Sequence, residues 1–542
     1  MIWRVGAIVV AALVALPLLG LAASLVDGRG EMWRHLAETQ LREIVANTIL
    51  LLLGVGVGTV VIGAGTAWLV TLHRFPFSRL FEWGLLLPLV LPTYIIGYAY
   101  ADLLAYAGPL QSTLRQLAGW QRGDYWFPDV ASATGVAVLF TLVLYPYVYL
   151  AARAAFLAQS QPLLEASRIL GNGPWRTFWR VGLPLARPAI AAGAALALLE
   201  ALADFGTVQY YGVQTFTTAI YRTWFGMGDR DGAGQIAMIL LVIAVLLVLI
   251  ERHSRGRARY HVAANIREHA QPGDLTGWRA AAAMIACALP VLLGFIVPTA
   301  HLFRLALNSS LSLTGAAFLR DATHSLALAA IAAVIIASLG LFLAYAGRLI
   351  RQRRFNRMIE FAALGYAIPG AVIAVGILAP LAAADRLVDR SAQFLFGSTT
   401  GLMLSGTAVA LLLAYTVRFL AVGIANIAPG LAAIDPAMDA SARILGAGPA
   451  KILRRIHLPL LRGPALTAAI VAFVEVLKEL PATLLIRPFN FDTLAVGVYR
   501  FASDERLAEA AVGALVIVAA SLLPVILLSR AIASATSSPR AP

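Results

Sequence analysis

Long apolar runs separated by short polar intervals organise this chain from end to end. Mostly apolar stretches recur near 5–26, 47–72, 82–104, 131–153, 188–208 and 235–251, and again near 281–303, 324–347, 361–383, 401–424, 464–486 and 508–529. About 20 such residues suffice for an α-helix to cross a hydrocarbon core. The pattern therefore predicts an all-α polytopic membrane protein with about 12 transmembrane helices. The first run, with Arg4 before it and small residues near Ala23, also fits a leader peptide. It is read as a span because its apolar stretch is long for a signal sequence.

The spacing of the runs repeats. Residues 165–190 read EASRILGNGPWRTFWRVGLPLARPAI, and residues 440–465 read ASARILGAGPAKILRRIHLPLLRGPA. Asn47-Thr48 through Pro92 line up with His324-Ser325 through Pro369. Glu200 and Asp204 align with Glu475 and Glu479, and Tyr221-Arg222 with Tyr499-Arg500. The chain is thus expected to hold two parallel six-helix repeats: a first half over 1–251, a cytoplasmic linker over 252–280 rich in Arg and His, and a second half over 281–542. Parallel repeats imply a pseudo-two-fold axis along the membrane normal, with a path between the halves.

Two loops, 160–187 and 435–463, share one grammar. A short helical run ends at Leu170-Gly171 or Leu445-Gly446, where glycine suits a left-handed helix terminus. A second short helix opens at Pro174 or Pro449, since proline is tolerated in a first turn. That helix carries Arg176 and Arg180, or Lys451, Arg454 and Arg455. Leu183-Pro184 or Leu458-Pro459 is expected to end it and return the chain to the membrane. Two helices with a rigid corner form a docking surface. A basic amphipathic loop lying on lipid explains the charges, but not the same Gly, Pro and Leu-Pro spacing occurring twice.

Charge then fixes orientation. The formal net charge is +14, from 42 Lys and Arg against 28 Asp and Glu. With the N-terminus cytoplasmic, most of the basic residues fall on that side, in the segments Arg153–Arg187, Arg252–Arg279, Arg348–Arg357 and Arg418–Arg462, and at Arg4, Arg74, Arg79, Arg530 and Arg540. That is the positive-inside distribution, so basicity reports topology and lipid contact rather than nucleic acid. The composition, 60% hydrophobic and 13% charged, is that of a bilayer protein. The single cysteine, Cys287, excludes an internal disulfide framework.

Charges inside the spans are the remaining chemistry. Glu200 and Asp204 stand four apart in the fifth span, which as a helix places them on one face. Glu475 and Glu479 match them in the eleventh, with Lys478 beside them. Intramembrane charges are costly and face a cavity or a partner. Two readings follow. The acids line a path for a cation, oxygen ligands suiting a hard metal ion such as Fe(III), or they form an ion-pair set with Lys478. The eight histidines show no ligand spacing and are read as ordinary polar residues.

The loops resemble the EAA loop of ABC importer permeases, in which the corner is a coupling helix seated on a cytoplasmic ATPase. Glu165, Ala166, Gly171, Leu183 and Pro184 occupy the motif's places in the first copy. In the second, Ala440 stands where the glutamate belongs, with Asp439 one residue earlier. The stretches ADFGTVQYYGVQTFTTAIYRTWF and VEVLKELPATLLIRPFNFDTLAVGVYR further resemble the fused two-half permeases of ferric-iron importers. Permeases for thiamine, polyamines, sulfate and phosphonates share the loop and the fold. The resemblance implies a type I importer permease fold as one covalent pseudo-dimer in the bacterial inner membrane, with both termini cytoplasmic. It implies two copies of a cytoplasmic ABC ATPase, which hold ATP and Mg, and a periplasmic iron-binding protein. The chain itself has no G-x-x-x-x-G-K-[ST] loop, no catalytic constellation and no certain metal ligands. A secondary transporter, which needs no ATPase, is the rival from another class.

Overall fold

The computed structural model describes residues 2–27, 31–121, 123–159, 167, 169–171, 173–255, 273–311 and 315–536, with side chains at 26–27, 31–33, 174, 255 and 523–536 left undescribed. These residues are helical almost throughout. Among the described residues nine helices are long and apolar enough to span a membrane, and up to eleven if two bent pairs each count as one crossing. The twelfth expected segment is the helix Leu507–Thr536. The chain is an all-α polytopic membrane protein, as its hydropathy predicts.

Several expected spans are not straight crossings. The third is two helices, Ser78–Val90 and Thr93–Ala118, set at 90°. Pro92 lies at the break, where the missing N–H and the restriction on the preceding residue end a helix. The eleventh, expected over 464–486, is entered through a 77° bend between Pro449–Leu460 and Arg462–Leu477 and is interrupted after Leu477, helix resuming at Pro481–Ile486. Leu183-Pro184 also behaves differently from expectation. The helix does not end there but passes through a π-helical turn over Phe178–Gly182, closed by the Leu183 N–H on the Phe178 carbonyl, into Leu183–Ala203. Pro184 sits in the first turn after it, where an N–H is not needed.

The helices pack as two compact units, each drawing on both sequence halves. One comprises residues 1–35, 219–241 and 311–500; the other comprises 36–218, 242–310 and 501–542. In the first unit the helix Ile2–Asp27 lies against Gly370–Phe396. Its Trp3 also stacks on Phe342 of the helix Ala316–Leu349, with ring centroids 5.1 Å apart. In the second unit the helical stretch beginning at Gly277 lies against residues of the first sequence half. The Tyr100 hydroxyl donates to the Leu293 carbonyl at 2.7 Å, and the imidazole of buried His301 pairs with Asp102 at 2.7 Å. Each half thus lends its first span to the unit built around the other half's central helices.

Within each unit glycines line the main helix crossing. A Cβ at Gly63 would lie 2.7 Å from the Val148 Cβ and 2.8 Å from the Tyr145 carbonyl. At the repeat-equivalent Gly340 it would lie 2.6 Å from the Gly423 carbonyl carbon. Small residues allow this close backbone approach, a main source of helix association in lipid. The described end of the linker is ordered too: Gly273–Asp274 pairs in parallel with His73–Arg74. Linker residues 256–272 lie outside the described residues.

Candidate functional site: two helical corners and two capped span breaks

The loop corners form as the glycines predict. In the second loop, Asp435 opens the helix Pro436–Ile444 by accepting the Ala437 N–H at 2.8 Å. The helix ends at Gly446, φ +75°. The Gly446 N–H donates to the Arg443 carbonyl at 3.0 Å and the Ala447 N–H to the Ala442 carbonyl at 2.9 Å, the paired bonds of a Schellman terminus. Helix resumes at Pro449–Ile452. In the first loop Gly171 has φ +80°, and helix resumes at Pro174–Thr177. Glu165 and Ala166 lie outside the described residues.

Both corners present an exposed apolar pair. Ile169 and Leu170 are 86% and 81% exposed, and Ile444 and Leu445 are 87% and 84% exposed. Four large aliphatic side chains held out at rigid corners are an unsatisfied surface of the kind that marks an interaction site. Leu458 is also exposed.

Asp439 points the other way. It is buried, and its carboxylate accepts Arg348 Nε at 2.8 Å and faces His457 Nε2 at 2.8 Å. Arg348 Nη1 also donates to the carbonyls of Leu431 and Ile434, at 2.6 and 3.0 Å. The Tyr345 hydroxyl donates to the Pro449 carbonyl at 2.8 Å. The second loop's acid therefore fastens the loop to the end of the helix Ala316–Leu349. Burial works against its charge, but the Arg348 hydrogen bond and the neighbouring charges outweigh it and hold the carboxyl below the usual carboxylate range. A depressed folded value means that this stabilisation is fully present above about pH 4, the unfolded value. It is lost only as pH falls through the lower folded value. Asp439→Ala is expected to cost about 2–3 kcal/mol, read as a lower melting temperature and faster proteolysis within 435–463. Unchanged melting and proteolysis would show the contact to be idle. Sequence reasoning passed over Arg348 and His457, because their partner lies 91 and 18 positions away in the chain.

The intramembrane acids divide into two kinds. The helix Leu183–Ala203 stops one residue before Asp204, whose backbone is extended at φ −66°, ψ 136°. The helix Arg462–Leu477 likewise stops before Glu479. Glu200 and Asp204 thus do not share one helix face, and neither do Glu475 and Glu479. Instead Asp204 accepts the N–H groups of Thr207 and Val208 at 2.9 and 3.3 Å and the Thr93 hydroxyl at 2.6 Å. Glu479 accepts the N–H groups of Ala482 and Thr483 at 2.9 and 3.1 Å. Each buried carboxylate caps a short helix, Gly206–Tyr210 or Pro481–Ile486, supplying acceptors to N–H groups that have none within the helix.

The second copy adds a charge. Arg418 Nη1 lies 3.9 Å from Glu479, both groups being buried. Its helix runs over Ala408–Ala432, so Arg418 sits inside a span and not among the cytoplasmic loop charges. Gly370 makes room for this pair: a Cβ there would lie 2.4 Å from Arg418 Nη1 and 2.6 Å from Glu479 Oε1. At the equivalent position the first half has Thr93, the donor to Asp204.

Glu475 and Lys478 pair directly at 2.9 Å, and both are mostly buried. Glu200 is half-buried on its helix. Glu475→Gln is expected to lower the melting temperature by removing the partner of Lys478, and Lys478→Met added to it to restore the loss. If Glu475→Gln melts like the wild type, the pair is not structural. Among the described residues no group of three or more His, Cys, Asp or Glu is placed to hold a metal ion.

Residues 59–252 and 364–537 each match the family model of binding-protein-dependent transport system inner membrane components. The chain belongs to this family. Two copies of the domain, in the two sequence halves, make it a fused permease. The Fe(3+)-transport system permease protein FbpB 2 of Haemophilus influenzae is 26% identical over 91% of this chain and 90% of its own length. The ferric transport system permease protein FbpB of Actinobacillus pleuropneumoniae is 23% identical over 84% of this chain and 66% of its own. The molybdenum transport system permease protein ModB of Escherichia coli is 31% identical over 35% of this chain and 85% of its own. Membership makes the chain a multi-pass inner-membrane transport subunit rather than an enzyme, with an ATPase and a periplasmic binding protein as partners.

Proposed function

We propose that this chain is the translocating subunit of a ferric-iron importer. A periplasmic binding protein delivers Fe(III) to its outer face, and both termini are cytoplasmic. Two copies of one ATPase, which carry ATP and Mg, dock at the corners Leu170-Gly171 and Leu445-Gly446 and drive alternating access.

The observation that carries the docking is the repeated corner: positive φ at both glycines, with an exposed Ile-Leu pair before each. For iron, the support is extent of similarity. The ferric permease of Haemophilus influenzae matches across nearly the whole fused chain, whereas the molybdenum permease matches about a third of it. The capped breaks at Asp204 and Glu479 satisfy these acids internally, which favours a structural role for them over direct cation binding.

The test is ATPase stimulation in the complex reconstituted in nanodiscs with its binding protein. Binding protein loaded with Fe(III) is expected to stimulate hydrolysis several-fold over the unloaded form. Loading with molybdate, thiamine or a polyamine should not. Stimulation by one of these and not by iron would overturn the iron assignment, and a permease that retains no ATPase would overturn the docking.

A further inference from the structure

The two corners share one frame but differ in what surrounds it. Repeat alignment places Arg176 opposite Lys451 and Arg180 opposite Arg455, so both loops carry a basic pair. Among the exposed positions two diverge in chemistry: Trp175 is opposite Ala450, and Trp179 is opposite Arg454. Trp175 and Trp179 are 71% and 53% exposed, and their rings meet edge to face at 5.9 Å. Both rest on Phe178, at 5.8 and 5.3 Å, which in turn packs on Trp68 at 5.1 Å. The tryptophans are thus held out from a buried aromatic base, within two turns of the helix that follows the Gly171 corner. Exposed, pre-positioned tryptophans are the residues that most often dominate an interface, and rigid placement lowers the entropy cost of using them. Lys451, Arg454 and Arg455 are also exposed, but as long, hydrated, salt-screened side chains they contribute little in water.

We infer that the two loops hold the ATPase unequally. The first, through Trp175 and Trp179, is a persistent apolar anchor seated in a hydrophobic cleft of one ATPase subunit. The second, with Ala450 and Arg454 in those places, is a weaker, charge-dependent contact. The inference rests on the docking reading above, and it extends the Ile-Leu corner to a wider apolar face on one loop only. A membrane-interface role for the tryptophans is the competing occupant. Quenching by brominated lipid, below, separates the two occupants.

The experiment measures binding of the purified ATPase to the full permease in nanodiscs by surface plasmon resonance, at 50 and 300 mM KCl. Leu445→Asp leaves the first loop to act alone, and Leu170→Asp leaves the second. The first-loop-only protein is expected to bind on the order of 30-fold more tightly and to lose little affinity in high salt. The second-loop-only protein should weaken steeply with salt. Rewriting the first loop as the second (Trp175→Ala with Trp179→Arg) in the Leu445→Asp background should abolish that advantage, and Ala450→Trp with Arg454→Trp should create it in the Leu170→Asp background. Equal affinities and salt dependence for the two one-loop proteins would overturn the inference. So would a rewritten first loop that binds the ATPase as before but loses tryptophan quenching by brominated lipid, which would assign the pair to the membrane. If Leu170→Asp with Leu445→Asp leaves binding unchanged, the docking reading itself fails. Monodisperse elution of each variant separates these outcomes from misfolding.

Discussion

Gly171→Pro and Gly446→Pro are each expected to abolish uptake while leaving the protein inserted and monodisperse. Both glycines sit at positive φ, +80° and +75°, and proline is locked near −65°. At Gly446 the substitution also deletes the N–H that donates to the Arg443 carbonyl at 3.0 Å. The corner cannot form, so the exposed Ile-Leu pair is displaced from the helix that follows. Alanine is the graded control. A Cβ at either glycine meets nothing within 4 Å, so only backbone strain is paid, about 1–2 kcal/mol. Uptake in the alanine variants should fall partially. Normal uptake by either proline variant at equal membrane abundance would show that the corner is not needed for transport.

The second large effect concerns the capped breaks. Asp204→Leu and Glu479→Leu each leave a short helix with its first N–H groups buried and uncapped. Glu479→Leu also removes the carboxylate nearest Arg418. Losses of about 3–5 kcal/mol are expected, enough to consume much of the stability of a typical domain. The isosteric amides distinguish the two acids. Asp204→Asn keeps an acceptor for Thr207 and Val208 and should cost little. Glu479→Gln also withdraws the charge 3.9 Å from Arg418 and should cost more. Adding Arg418→Met should recover part of that loss. Thermal melting and iron uptake are measured together. If both amide variants melt like the wild type and yet lose uptake, the carboxylates act on the passing cation, and their capping role is secondary.

The two halves keep the same architecture while exchanging the groups that support it. Gly63 and Gly340 mark the same crossing. Asp204 and Glu479 cap the same break, but Thr93 assists the first and Arg418 accompanies the second. Such exchange is open to a covalent duplication, where each half evolves its own side chains. It makes identity between the halves highest where backbone geometry is fixed, at the Leu-Gly and Leu-Pro positions of the loops.

The sequence alone determined the placement of the apolar segments, the duplication, the positive φ of the two loop glycines and the helix restarts at Pro174 and Pro449. These are local properties: hydropathy over about 20 residues, and the backbone restrictions of glycine and proline. Only the tertiary structure decided where the spans break and what their charges do. A helical register from Glu200 to Asp204 ends at Ala203 because the Asp204 carboxylate finds Thr207, Val208 and Thr93, the last 111 positions away. Asp439 is a fastener because Arg348, 91 positions earlier, turns it inward. Arg418 falls in the apolar run 401–424 yet counts with the loop charges in sequence; its helix, which continues to Ala432, places it inside a span. Nor does hydropathy show that each half's first span packs against the other half's central helices, since apolar helix faces look alike in one dimension. Which faces meet is selected by close-packed contacts such as that of Gly20 against Gly376, where a Cβ would lie 1.8 Å from the facing carbonyl oxygen.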